Sequence, residues 1–262
     1  MPRAAFRSPA ELLDDLGITE PGEIIVEALA ARCGATILEQ PLAGCEARLL
    51  GYGERAIITV NSASSVERRR FSAAHELGHW VRDRGRVAAA CSEEMLAGRW
   101  QDKGRESGAN RFAADLLLPD PIFRPHARNR PITLSTVRDL GASFRTSVTA
   151  TAIRLVELGS LPGMVICSGP KGRLWFVRGP DVPKVLFPLR APGKGSVAYD
   201  LLQGKMDAGG AEVDADSWID HPDAGRYEIH EDSMRITKDL VLTLLWWKDE
   251  SQILDLDDEA DM

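Results

Sequence analysis

The chain has 262 residues, room for one large domain or two small ones, and its 44% hydrophobic and 27% charged content is ordinary for a soluble globular protein. The net charge of −7 belongs to residues 249–262, where Asp249, Glu250, Asp255, Asp257, Asp258, Glu259 and Asp261 stand without any Lys or Arg. The body is therefore neutral, which excludes a global basic field drawing it to nucleic acid or a membrane surface.

The start, Met1 to Ser8, lacks the apolar run of a signal peptide, and no stretch of 18 apolar residues occurs. The four cysteines (Cys33, Cys45, Cys91, Cys167) are scattered with no CxxC pair. A cytoplasmic protein with reduced core cysteines is the expectation.

In chain order, Ser8-Pro9-Ala10-Glu11 opens a capped helix that ends near Gly17. A second helix carries Ile24, Ile25, Ala28, Leu29 and Cys33 at helical spacing and stops at Gly34. Residues 35–41, 47–51 and 56–60 read as short strands of a small antiparallel sheet. Ser64 or Ser65 then caps a helix carrying Phe71, Ala74, His75, Leu77, Gly78 and Trp80. Gly78 costs helix stability, so it makes sense where another backbone or a substrate must come close.

Residues 84–104 read as a loop with one short helix around Glu93 to Gly98. Glu106 to Leu118 is a strong helix closed by Pro119-Asp120-Pro121, and 122–131 reads as a basic connection broken by proline. Helices follow at 135–142 and 147–158. From Gly163 the pattern changes to strands at 164–167, 174–177, 227–230 and 240–247, with Gly169-Pro170-Lys171-Gly172 as a hairpin turn. The domain boundary falls near residue 161.

Chemistry concentrates in His75-Glu76-Leu77-Gly78-His79, an HExxH pentad on the third helix. Positions i and i+4 of a helix lie about 40° apart around the axis and about 6 Å along it, so His75 and His79 can share one metal ion. Glu76 sits about 100° round, where its carboxylate can deprotonate a water held by that ion. A catalytic zinc needs a third protein ligand. Arg82 and Gly85 stand where an extended HExxHxxGxxH pattern needs Gly and His, so the third ligand lies elsewhere. Glu106 heads a helix whose Ala109, Asn110 and Ala113 could pack closely on the His75 helix; Glu93 and Glu94 are rival ligands.

Phe71-Ser72-Ala73-Ala74-His75-Glu76-Leu77-Gly78-His79, followed by Glu106-x-x-Ala109-Asn110-x-Phe112-Ala113-x-x-Leu116-Leu117-Leu118-Pro119, resembles the ImmA/IrrE family of metallopeptidases over about residues 8–160. The resemblance implies one zinc ion held by His75, His79 and Glu106, with Glu76 as the general base. It also implies a protein substrate, often a helix-turn-helix repressor in mobile-element or stress control. Two departures stand out: no repressor domain precedes the peptidase part, and the residues after 161 match nothing in the pattern.

The expected fold class is α+β. A helical zinc-peptidase domain (1–160) with a small antiparallel sheet and a helix-turn-helix-like segment (131–158) precedes a strand-rich sensor or partner-docking domain (161–248) and an acidic tail (249–262). The expected function is zinc-dependent cleavage or inactivation of a regulator protein. The competing reading is a non-catalytic zinc-stabilised regulatory or antitoxin-like binding protein.

DNA binding through 131–158 is possible but not favoured. Residues 122–156 carry six arginines against Asp139, yet Thr149 to Thr151 offer no side chain that reads a base edge. Asp83 is a candidate partner for His79, read first as an exposed carboxylate. Asn110 reads as a helix-packing hydrogen-bonder, and His126, His221 and His230 as solvated residues. The four C-terminal tryptophans, Trp175, Trp218, Trp246 and Trp247, fit either a ligand-sensing domain or a plain core.

Overall fold

A computed structural model describes residues 8–82, 103–249 and 251–258. They form an α+β protein whose described residues divide into two compact bodies: those up to 123 with 141–147, and 124–140 with those from 148 onward. The short helix expected near Glu93, the rival ligands Glu93 and Glu94, and the Asp83 and Cys91 side chains lie outside the described residues.

In the first body, α1 (Pro9–Asp15) starts where the Ser8 hydroxyl accepts from the Glu11 N–H at 3.2 Å. After α2 (Val26–Arg32) come β1 (Ala35–Gln40), β2 (Ala47–Tyr52) and β3 (Arg55–Asn61). The strands lie in the order β1-β3-β2. β2 and β3 form the expected antiparallel hairpin, turned by Gly53 at φ +56°, whereas β1 adds to β3 in parallel, so the sheet is mixed. The alternation of β2 and β3 puts Ala47, Leu49, Ala56, Ile58 and Val60 inside.

α3 (Val66–Arg82) packs against this sheet and against α4 (Lys103–Leu117). Ser65 is its cap, the hydroxyl accepting from the Arg68 N–H at 3.3 Å. Trp80 anchors it by donating its indole N–H to the Cys33 carbonyl at 2.9 Å. Residues 122–131 were expected as a basic connection broken by proline, but 122–127 instead lie in helix α5 (Asp120–Ala127). Pro121 stands in the first turn, where its missing N–H costs nothing, and buried Ile122, Phe123 and Ala127 outweigh the interruption at Pro125.

α6 (Leu134–Phe144) and α7 (Val148–Leu158) are joined through Arg145 at φ +54°, with the Thr146 N–H donating to the Gly141 carbonyl at 3.0 Å. No residue of α7 is exposed.

The second body is built on a five-stranded antiparallel sheet in the order β5-β4-β8-β7-β6. Its strands are β4 (Gly163–Gly169), β5 (Gly172–Arg178), β6 (Ala208–Asp214), β7 (Glu228–Arg235) and β8 (Val241–Trp246). The Gly169–Gly172 hairpin forms where expected, with Gly172 at φ +102°. β6 and α8 (Val197–Leu202) had no counterpart in the sequence reading.

Trp218 and Trp247 are fully buried in this body's core, and Trp246 stacks on His230 with ring centroids 4.2 Å apart. Residues 251–258, expected as part of an acidic tail, form helix α9 (Ser251–Asp258), whose Ile253 and Leu256 enter the same core. No helix among the described residues is long and apolar enough to cross a membrane.

Candidate metal centre

The site lies between α3 and α4, and its geometry starts from two glycines. A Cβ placed on Gly78 would stand 3.0 Å from Phe112 Cβ, so the helices are as close there as a glycine allows. At Gly108 the added atom would meet the Arg82 guanidinium. Ala109 and Ala113, both fully buried, complete the narrow face of α4.

On the α3 side of this close seam His75 Nε2 and His79 Nε2 approach to 3.1 Å. Glu106, in the first turn of α4 where the helix dipole favours a carboxylate, lays one oxygen 3.3 Å from each imidazole: Oε2 from His75 and Oε1 from His79. These spacings can be tested against zinc. Bonds of about 2.0–2.1 Å in tetrahedral directions hold neighbouring donor atoms about 3.3 Å apart. The observed 3.1 Å between the imidazoles, and 3.3 Å from each to a different Glu106 oxygen, lie near that spacing, so the donor set suits a divalent ion.

His75, His79 and Glu106 are the one such group of three or more His, Cys, Asp or Glu side chains among the described residues. Among the described residues three ligands leave one tetrahedral position without a protein donor, and the group is partly exposed. The Glu106 side chain is 42% exposed, against 17% for His75 and 15% for His79. An exposed three-ligand set suits a metal that receives a substrate, whereas structural zinc is normally closed by four protein ligands.

Glu76 follows His75 on α3 and is 7% exposed. Asn110 stands one helical turn after Glu106 on α4, with its Oδ1 2.9 Å from His75 Nδ1. The sequence signal for that contact was the i, i+4 spacing from Glu106 to Asn110, matching His75 to His79.

The remaining histidines join no such group among the described residues. His221 Nδ1 accepts from the Asp223 N–H at 3.2 Å. His230 is half-buried between Trp246 and Glu212 rather than solvated. Cys33 and Cys167 are buried and form no disulfide.

Comparison with known proteins agrees with the geometry. Residues 30–156 match the Peptidase M78 family model, the IrrE N-terminal-like domain. The radiation response metalloprotease IrrE of Deinococcus radiodurans is 27% identical over 157 residues, 58% of this chain and 48% of that protein. The chain therefore matches about half the length of this curated relative. A Mycobacterium tuberculosis transcriptional regulator of known structure shares the fold at a TM-score of 0.59 and 15% identity, covering 90% of this chain and 73% of that one. Residues 30–156, with the two motif helices inside the match, therefore form a domain of the Peptidase M78, IrrE N-terminal-like family.

Proposed function

We propose that this protein is a zinc-dependent endopeptidase acting on a regulator protein, a helix-turn-helix repressor being the first substrate to try. The observation that carries the proposal is the convergence of His75, His79 and Glu106 at 3.1–3.3 Å on two packed helices, with Glu106 42% exposed. When bound there, zinc supplies Lewis-acid chemistry, acidifying a water and polarising a carbonyl oxygen.

The chain's own groups do the rest. His75 and His79 offer Nε2 lone pairs, and Glu106 adds a single negative charge. Glu76 acts as the base: its carboxylate takes the proton of the attacking water and passes it to the departing amine nitrogen as the C–N bond breaks.

Support for a protein substrate comes from the family and from a relative named as a metalloprotease. The repressor is the substrate class implied by the motif resemblance. The C-terminal body, with its own sheet and core, is assigned the role of sensor or docking domain within the same proposal.

Two other readings have less behind them. A binding protein with a purely structural zinc has no use for Glu76 or for an open ligand position. DNA recognition through 131–158 would need an exposed second helix, but α7 offers none, and Arg154 is 3% exposed and paired with Glu157 at 3.3 Å.

The test is mass-spectrometric detection of cleavage in purified helix-turn-helix repressors by the zinc-loaded full chain and by Glu76→Gln. Glu76→Gln should keep its zinc and lose cleavage by about 100-fold or more. Equal cleavage by both proteins would remove Glu76 from the mechanism. Zinc retention without cleavage of any repressor in the panel would favour the binding-protein reading.

A further inference from the structure

We infer that Asn110 is a positioning residue for the metal centre: it fixes His75 in the tautomer that turns the Nε2 lone pair toward the ion. The inference rests on the zinc reading above and deepens it.

A neutral imidazole carries one N–H and one lone pair on opposite sides of the ring, so deciding one nitrogen decides the other. The Asn110 amide oxygen only accepts. At 2.9 Å from His75 Nδ1 it selects the Nδ1–H form and leaves Nε2 as the electron donor. The other tautomer would set Nδ1 and the amide oxygen lone pair to lone pair. It would also aim an N–H at the point where His79 and Glu106 converge, 3.1 and 3.3 Å away.

α4 therefore contributes twice from one face. Glu106 joins the ligand set, and Asn110, one turn on, holds the imidazole that Glu106 meets. Metal-bound histidines are commonly oriented by a carboxylate or a carbonyl oxygen. An amide does this without adding charge. With two neutral imidazoles and one carboxylate, a divalent ion keeps a net charge of +1, and a second anion at position 110 would reduce it. Asn110 thus orients His75 while leaving the ion a stronger electrophile than an aspartate would.

The experiment uses full-length protein and measures the zinc dissociation constant by chelator competition for wild type, Asn110→Ala and Asn110→Asp. The visible spectrum of the cobalt-substituted forms and the melting curve of the metal-free forms are recorded alongside. Asn110→Ala should bind zinc about tenfold more weakly, at the low end of the usual 10–100-fold range because the contact is exposed. Its cobalt bands should shift while the metal-free melting curve stays unchanged. Asn110→Asp, which keeps the acceptor, should bind zinc at least as tightly as wild type and turn over more slowly.

Wild-type zinc affinity in Asn110→Ala overturns the inference. If KM rises with zinc affinity intact, Asn110 is a substrate contact instead. A metal-free melting curve that falls together with affinity, with no rescue by Asn110→Asp, makes it a packing residue. Failure of the wild type to bind zinc sinks the metal reading itself, a result distinct from all of these.

Discussion

At the scale of single residues, two neighbouring carboxylates of the C-terminal body are heavily committed. Glu231 is 2% exposed and accepts from the Val197 and Ala198 N–H groups, the Trp218 indole and the Ser233 hydroxyl, all within 2.9 Å. Two of those donors are backbone groups that the start of α8 leaves without a partner inside the helix. The next residue, Asp232, accepts from the Leu134 N–H at the start of α6 at 2.8 Å. Burial holds the Asp232 carboxyl above the ordinary aspartate range, outweighing that hydrogen bond and the nearby Arg138. A carboxyl raised on folding contributes stability below its unfolded value and loses it as pH rises through the folded value. Wild type should therefore lose stability relative to Asp232→Asn between acid and neutral pH. Chemical denaturation at several pH values checks this, and a difference moving the other way contradicts it. Neither residue stood out in the sequence, because apart from Ser233 their partners are 13 to 98 positions away and follow no local spacing.

Among the elements, the pairing of α3 with α4 decides whether a metal centre exists. Helix propensity alone says that Gly78→Ala should gain about 1 kcal/mol. Packing opposes it: the new methyl would meet Phe112 Cβ at 3.0 Å, and that atom is fixed to the backbone of α4 in a core where Phe112 is 4% exposed. Relief requires the helices to part by a few tenths of an ångström, and overpacking of this kind costs about 1–3 kcal/mol. Gly78→Ala should lower the melting temperature and weaken zinc binding together. A more stable variant with unchanged affinity would mean that the seam is loose.

The helices carrying the motif were legible because their own residues announce them: a hydroxyl cap at Ser65, apolar residues at helical spacing, and small residues along one face. α5 was not, since its prolines read as breaks while the burial of Ile122 and Phe123 comes from tertiary packing. β6 was missed for a related reason. As an edge strand with Gly209 and Gly210 it exposes most of its side chains and lacks an apolar alternation.

Across the whole molecule, the change from helical to strand pattern near residue 161 was visible, but the grouping into two discontinuous bodies was not. Residues 124–140 and 148–160 cluster with the C-terminal sheet, and 141–147 with the first body, because contacts distant in sequence decide the matter. The acidic end was legible as charge only. Its helix depends on two apolar residues, Ile253 and Leu256, which enter the core between carboxylates.

The three side chains that the structure brings together could be named from the sequence, since each of their helices carries its own signature. What joins them is a close approach that only the fold displays. The central claim is that three side chains from these two helices hold one zinc ion. Its most direct test is zinc content and affinity of the purified full chain, by elemental analysis and chelator competition, for wild type, His79→Ala and Glu106→Ala. The account predicts one zinc per wild-type chain, loss of the ion in His79→Ala, and affinity at least 100-fold weaker in Glu106→Ala. Zinc-free wild-type protein, or a Glu106→Ala variant that holds zinc as firmly as wild type, would contradict it.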